Sequence, residues 1–270
     1  MKKKRPLQKC VSFALGVFFF IFFWWLLSFS LEANDLHYLP SPFRIFEEVG
    51  VLLFGGGALK TWSAIGYSSL KLFIGFSISF VLALVLGTLS SLFPLFASFE
   101  KSHILLFRSI PTAGIALVLG TAFWLELPFL QPFIPSLLTI LVAFPILYQG
   151  FLDGILAIGD EVKDALRLEG AERKMESVLF VYWPGASNFI ILSITQALGL
   201  SFKVTIMSEI VTNSGTSKAM GLGTLIGKAI TLDADLEAAL GYSLIAVLLV
   251  FVVDGIFFFP KKKIEEEISD

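Results

Sequence analysis

The chain has 270 residues, of which 56% are hydrophobic and 16% are charged, with a mean hydropathy of +0.84 and a formal net charge of −2. Soluble domains carry about 25% charged residues, and a soluble core of this size could not enclose so much apolar surface. The composition therefore excludes an ordinary soluble domain and predicts an integral membrane protein. A single cysteine, Cys10, excludes a disulfide framework, and His37 and His103 lie too far apart in the sequence to indicate a metal site.

Six apolar segments are long enough to cross a bilayer, which takes about 20 largely apolar residues per helix. The first could instead be a secretory signal, but its apolar core is longer than the roughly 7–15 residues of such signals and no clear cleavage site follows. We therefore expect an all-α integral membrane protein with about six transmembrane helices. The expected spans are Cys10–Leu31, Ser68–Phe96, Ile104–Trp124, Pro132–Phe151, Gly185–Val211 and Ala238–Phe259.

The distribution of Lys and Arg predicts how these spans are oriented, because cytoplasmic loops carry an excess of both residues. With the N-terminus in the cytoplasm, thirteen of the twenty Lys and Arg residues fall on the cytoplasmic side and four on the opposite side. We therefore expect a multi-pass protein of the inner cell membrane with both termini in the cytoplasm. Residues 1–9 would form a cytoplasmic segment, 10–259 the transmembrane domain and 260–270 a cytoplasmic tail.

Two segments on the predicted outer side are too short or too polar to span. Ser41-Pro42 precedes the amphipathic run F-R-I-F-E-E-V-G-V-L-L-F, which predicts a helix lying in the membrane interface. The segment Thr212–Asp235 is rich in Gly, Ser and Thr, and is typical of a re-entrant turn, of a short helix capping a cavity or of a plain loop.

A polar segment of some thirty residues, Asp153–Pro184, interrupts the apolar runs. It predicts two helical pieces, one near Asp160–Glu169 and one running from Glu172 to Pro184, where proline should break or kink the helix. Small residues permit another surface to approach closely, and the surrounding charges would form the rim of that contact. The alternative is a solvated hairpin, held by its own salt bridges, that binds no partner. The small residues are Ala165, Gly170 and Ala171.

The polar segment resembles the cytoplasmic loop of binding-protein-dependent ABC importer permeases, whose motif is E-A-A-x-x-x-G followed about thirteen residues later by Pro. Asp164 stands for the Glu, Ala165 and Leu166 for the Ala pair, Gly170 for the Gly and Pro184 for the closing Pro. Leu168 lies one helical turn after Asp164. The spacing from Gly170 to Pro184 is fourteen positions, one more than usual. An added residue rotates the following helix by about 100° unless the rotation is absorbed locally.

Other segments resemble the nitrate, sulfonate, taurine and thiamine-precursor branch of these permeases. They are L-P-S-P at 39–42, R-S-I-P at 108–111, S-E-I-V-T-N-S-G at 208–215 and the following G-L-G-T-L-I. Together they extend the resemblance over nearly the whole chain in the right order.

The resemblance implies a type I ABC importer permease fold and a transport subunit that is not itself an enzyme and holds no cofactor. Two copies of the chain would form the translocation path within the lipid bilayer. A cytoplasmic ABC ATPase would hydrolyse ATP and receive the loop, through Asp164, Ala165, Leu168, Gly170, Ala171 and Pro184. An extracytoplasmic binding protein would deliver the solute, and no nucleic acid is expected as a partner.

The residues G-L-G-T-L-I-G-K-A at 221–229 do not form a phosphate-binding loop, because the glycine spacing is wrong and Ala229 replaces the required Ser or Thr.

Lys203 lies midway through a predicted span, where an ionisable residue is a functional candidate. It could face the translocation path and attract an anionic solute such as a sulfonate or carboxylate. Alternatively it could pair with Glu209, most readily across an interface, or serve as a structural cation between helices. We include both residues as candidates for the translocation path.

Two other classes of membrane protein compete with this assignment. A secondary transporter would work without an ATPase, but it should show inverted halves and broken helices near the midplane, and the sequence has no matching halves. A membrane scaffold or membrane-bound enzyme would call for intramembrane His or Asp clusters, which the sequence lacks.

Overall fold

The computed structural model describes residues 5–34, 39–127, 129–213 and 220–269. This part of the chain is helical and contains no strand, which confirms the predicted all-α class. A 3₁₀ turn at Gln131–Phe133 and a π-helix at Val178–Tyr182 accompany the α-helices. The α-helices are α1 (Arg5–Glu32), α2 (Pro42–Phe54), α3 (Ala58–Leu92), α4 (Pro94–Ser109), α5 (Thr112–Glu126), α6 (Ile134–Leu156), α7 (Asp160–Leu168), α8 (Met175–Ser177), α9 (Trp183–Gly185), α10 (Ser187–Asn213), α11 (Leu222–Thr231) and α12 (Leu236–Ser269).

Five segments of these helices are long and apolar enough to cross a membrane, and a sixth span results if one bent pair of helices is counted. The predicted count of about six spans is therefore confirmed with the bent pair included. The five single spans are Ala14–Glu32, Ala58–Leu92, Gln131–Leu156, Ser187–Thr212 and Leu236–Val253.

The predicted third span, Ile104–Trp124, is wrong as a single helix. The chain instead forms α4 and α5, whose axes differ by 80° across a short break. Pro111 lies in the break, and Ile110 before it is extended, with φ −72° and ψ 125°. Because the proline ring disfavours the helical conformation of the preceding residue, this sequence ends one helix and starts another.

The predicted second span, Ser68–Phe96, differs from the observed helix α3 at both ends. Helix α3 begins ten residues earlier, at Ala58, and ends at Leu92. Phe93 is extended, with φ −123° and ψ 98°, and precedes Pro94, the first residue of α4. The proline again sets the boundary.

The expected amphipathic helix after the first span is confirmed as α2. The Ser41 hydroxyl accepts a hydrogen bond from the backbone N–H of Arg44 at 3.5 Å, and Pro42 occupies the first turn. This is a favourable start for a helix, because the serine satisfies a free N–H and the proline has none to satisfy. Ile45 and Val49 are buried whereas Phe43 is exposed, so the helix lies with one face against the protein.

Helix α6 is the centre of the bundle and packs along both α3 and α10. Small residues allow these close approaches, as is common where membrane helices pack. Thr139 of α6 and Thr205 of α10 are fully buried and share a hydrogen bond of 2.9 Å. At the end of α6, a Cβ on Gly154 would lie 2.6 Å from the Cβ of Ala186 and 2.9 Å from its Cα.

We expect Gly154→Ala to destabilise the protein, although alanine is the better helix former. The added methyl would meet the backbone of Ala186, and overpacking of this kind typically costs about 1–3 kcal/mol. Thermal unfolding of the purified chain in detergent measures the change. The matched control is Gly66→Ala in α3, where a Cβ meets nothing within 4 Å and the expected effect is neutral or stabilising by up to about 1 kcal/mol. Equal melting temperatures for the two variants would contradict this account of the packing.

Candidate functional site

The polar segment forms a hairpin between α6 and α10, with α7 as its first arm. The helix α7 carries Asp160 and Glu161 in its first turn and Arg167 in its last. Acidic residues at the N-terminus and basic residues at the C-terminus both interact favourably with the helix dipole. All residues of α7 are exposed or half-buried, so the helix stands away from the bundle.

The end of α7 has the geometry of a Schellman motif. The N–H of Ala171 donates to the carbonyl of Leu166 at 2.8 Å, and the N–H of Gly170 donates to the carbonyl of Arg167 at 3.0 Å. Gly170 has φ +62°, a conformation that glycine adopts without steric cost. The glycine therefore ends the helix and reverses the chain.

Arg167 makes two ion pairs that brace this reversal. It contacts Glu172 and Asp164, in each case with an N–O distance of 2.9 Å. The hydrogen bond and charge of Glu172, followed by those of Asp164, raise the pKa of the Arg167 guanidinium above its ordinary value. Beside these paired charges the Leu168 side chain is 90% exposed. The tip of the hairpin therefore presents an apolar residue next to three charged residues that pair with one another.

The second arm of the hairpin folds back on the first through two hydroxyl groups. Ser177 donates to the carbonyl of Ala171 at 2.7 Å, and Tyr182 donates to the carbonyl of Glu172 at 3.1 Å. Tyr182 is 4% exposed, and this burial is the largest cause of the raised pKa of its phenol. The neutral hydroxyl required for this hydrogen bond is thus favoured.

The π-helix lies between this arm and α10. The N–H of Trp183 bonds to the carbonyl of Val178, five residues earlier, and Pro184 falls in the first turn of α9. Helix α9 ends at Gly185 and α10 begins at Ser187, so a one-residue interruption lies just after Pro184, near the predicted break or kink. The second arm becomes helical only at Met175, later than the predicted start at Glu172. A π-turn contains one residue more than an α-turn and is typically a single insertion into a helix.

Trp183 fixes the base of the hairpin to the bundle. Its indole N–H donates to the Thr88 hydroxyl of α3 at 3.2 Å. Its ring meets that of Phe151 of α6 edge to face, with the ring centroids 6.2 Å apart. The hairpin is therefore held at its base by two central helices, while its tip is free.

The predicted loop residues lie together on this hairpin. Asp164, Ala165, Leu168 and Gly170 are exposed, and Ala171 is half-buried beside them. Pro184 is exposed at the base, beyond the π-helix.

The candidate path residues do not come together. Lys203 is exposed in an open groove of about 510 Å³ between α10, α11 and α12. Glu209 is fully buried and pairs with Lys71 of α3, with an N–O distance of 2.7 Å, so its expected alternative pairing with Lys203 is wrong. Sequence reasoning missed this contact, because Lys71 and Glu209 lie 138 positions apart.

The segment after α10 contains a short helix, which is one of the three interpretations of Thr212–Asp235. This helix, α11, is largely buried from Leu222 to Ala229. Residues 214–219 of the same predicted segment lie outside the described part of the chain. Among the described residues, no group of three His, Cys, Asp or Glu side chains is placed to hold a metal ion.

The same arrangement of helices occurs in solved ABC transporter structures. Two of these are crystal forms described as inward-facing conformations of the MetNI methionine ABC transporter. The first aligns with a TM-score of 0.58 and 18% identity over 78% of this chain and 97% of the other. The second aligns with a TM-score of 0.57 and 19% identity over 76% and 94%. The chain has the fold of an ABC transporter permease. No protein-family model and no curated protein matches the sequence.

Proposed function

We propose that this chain is the transmembrane permease subunit of an ATP-driven ABC importer. Two copies would form the path for a small solute delivered by an extracytoplasmic binding protein, and ATP would be hydrolysed by a separate cytoplasmic subunit. The observation that carries the proposal is the hairpin 160–177, a polar projection with an exposed apolar residue at its tip on the fold of an ABC transporter permease.

The composition of the hairpin tip fits a docking element. Binding surfaces commonly have an apolar centre and a polar rim. Leu168 supplies the apolar side chain, and Gly170 leaves space around the reversal, since a Cβ there would meet nothing within 4 Å. The ion pairs of Arg167 with Asp164 and Glu172 satisfy three of the charges near the tip within the hairpin, so a partner that covered the tip would not have to pair them.

The base of the hairpin supports its role in transmitting movement. A partner that moved the tip would move Trp183, and with it the contacts to Thr88 and Phe151. Switching proteins commonly transmit ligand-driven changes as rigid-body movements of packed elements. Closure of the ATPase would in this way shift α3, α6 and α10 relative to the second copy.

The π-helix accounts for the added residue between Gly170 and Pro184. One extra residue in an α-helix would rotate the following helix by about 100°. A π-turn accommodates that residue within one turn, and Val178 and Tyr182 stay buried on the same side. The expected docking geometry is therefore compatible with the longer spacing.

The groove around Lys203 supports an anionic solute. A lysine near the middle of the span Ser187–Thr212 is costly against lipid, so this face is expected to contact water or protein. Apart from Lys203 and Ser243 the groove is lined by apolar side chains. One cation in an apolar surround would attract a small anion such as a sulfonate, nitrate or a carboxylate.

The hairpin also argues against a secondary transporter, which would need no docking element for an ATPase. A secondary transporter is expected to contain broken helices, and the bent pair α4–α5 is one such break. A matching break in a second half of the chain would favour the alternative, but α6, α10 and the span of α12 are single helices.

We expect Gly170→Arg to abolish co-purification of the chain with its ATPase. The arginine would occupy the space beside the tip and would strain a residue that has φ +62°. The matched control is Gly159→Arg at the other end of α7, where φ is −56° and a Cβ also meets nothing within 4 Å.

A second control, Gly170→Asn, separates backbone strain from steric blocking, because asparagine tolerates this conformation. We expect Gly159→Arg to retain the ATPase and Gly170→Asn to retain at least part of it. A Gly170→Arg chain that still binds the ATPase as well as the wild type would count against the docking role.

We expect Lys203→Met to impair uptake of the solute without loss of assembly. Hydrogen bonds to charged groups are worth about 1.5–3 kcal/mol, so uptake of a limiting anion should fall roughly tenfold to a hundredfold. A panel of sulfonates, carboxylates and nitrate, tested with Lys203→Arg as the charge-conserving control, provides the measurement. Unaltered transport by Lys203→Met would remove Lys203 from the path.

A further inference from the structure

The Glu209 carboxylate is enclosed by α3 and by the start of α11. Its two oxygens accept three hydrogen bonds: from Lys71 at 2.7 Å, from the Ser68 hydroxyl at 2.7 Å and from the backbone N–H of Gly223 at 3.0 Å. The Glu209 side chain has no exposed surface. A residue so enclosed cannot contact a solute directly in this conformation, which distinguishes it from Lys203.

Two further hydrogen bonds tie α3 to the segment that enters α11. Lys71 donates to the carbonyl of Met220 at 2.7 Å, and Ser68 accepts from the backbone N–H of Leu222 at 2.8 Å. The position of the start of α11 is thus fixed, because its backbone groups form hydrogen bonds with side chains of α3 and α10. A carboxylate near a helix N-terminus is also favoured by the helix dipole.

The glycines of the G-L-G sequence make this contact possible. A Cβ on Gly221 would collide with the Glu209 carboxylate, and a Cβ on Gly223 would collide with the carbonyl of Ile206. The sequence that superficially resembles a phosphate-binding loop therefore brings the backbone N–H of Gly223 to a carboxylate of the protein itself.

The ion pair holds one wall of the groove in place. Ile226 of α11 lines the groove together with Lys203 and Ile206 of α10. Ile226 lies one turn after Gly223, whose N–H is bound by Glu209. A displacement of the start of α11 would therefore change the width of the groove beside Lys203.

We propose that Lys71 and Glu209 are positioning residues that fix α11 against α3 and α10 and so set the width of the Lys203 groove. This inference rests on the proposed function only in taking the groove as part of the translocation path. Loss of one member of the pair would leave the other as a buried unpaired charge, which is strongly unfavourable. The start of α11 would then separate from α3.

The test is the distance between spin labels on α3 and α11, measured by pulsed electron paramagnetic resonance in a Cys10→Ser background. The labels replace Tyr67 of α3 and Ile230 of α11, which are 43% and 50% exposed. The control pair places the second label at Leu200 of α10, which is 44% exposed. Dilution with unlabelled chain restricts the measurement to distances within one copy, and the purified chain is used without its ATPase.

We expect Glu209→Gln to shift or broaden the α3–α11 distribution by several ångströms and to leave the α3–α10 distribution unchanged. The double variant Lys71→Met with Glu209→Gln, which removes both charges, should restore a narrower α3–α11 distribution. An unchanged α3–α11 distance in Glu209→Gln would overturn the proposal. So would an equal broadening of both pairs, because the ion pair would then support the whole bundle rather than α11.

Different results would contradict the proposed function and the proposed role of the Lys71–Glu209 pair. A chain that shows the expected change in α11 but does not bind an ATPase would contradict the proposed function alone. A chain that binds the ATPase but keeps α11 in place in Glu209→Gln would contradict this inference alone.

Discussion

The close approach of α6 to α3 and α10 is the constraint on which the rest of the structure depends. Helices in a bilayer gain little from burying apolar side chains, since lipid is equally apolar, so association relies on close packing and on polar contacts between helices. Here the Thr139–Thr205 hydrogen bond and the glycine contact of Gly154 with Ala186 provide both. Because Gly154 and Ala186 lie at the base of the hairpin, the same packing determines where the polar projection leaves the bundle.

Separate ion pairs lie in the hairpin and inside the bundle. In the hairpin, Arg167 pairs with Asp164 and Glu172, and Leu168 beside them is exposed. The Lys71–Glu209 pair satisfies charges inside the bundle and fixes α11 beside the groove that contains Lys203. A transporter driven by a separate ATPase needs both features, namely a site that receives force and a path whose shape responds to it. Helix α3 contacts both, through Thr88 at the base of the hairpin and through Lys71 beside α11.

Local sequence signals were sufficient for much of this arrangement. The apolar runs predicted α6, α10 and α12, and Ser41-Pro42 predicted α2, because each signal lies within a continuous stretch of the chain. The signal for the break at Pro111 was present, but hydropathy averages over about twenty residues and cannot resolve a bend within them. The Lys71–Glu209 pair was missed for a different reason. It joins residues 138 positions apart, and no local pattern specifies which of several charged residues will meet. The π-helix lies where the sequence has one residue more than the usual spacing, but that spacing does not specify how the residue is accommodated.

The proposed function requires that the chain transports its solute only through an ATPase docked on the hairpin. The most direct measurement is uptake into liposomes that contain the chain with its ATPase and binding protein, with all ion gradients collapsed. We expect uptake when hydrolysable ATP is supplied to the side bearing the ATPase, and none from the chain alone under an imposed proton or sodium gradient. Gradient-driven uptake by the chain alone would contradict the account and assign the protein to the secondary transporters.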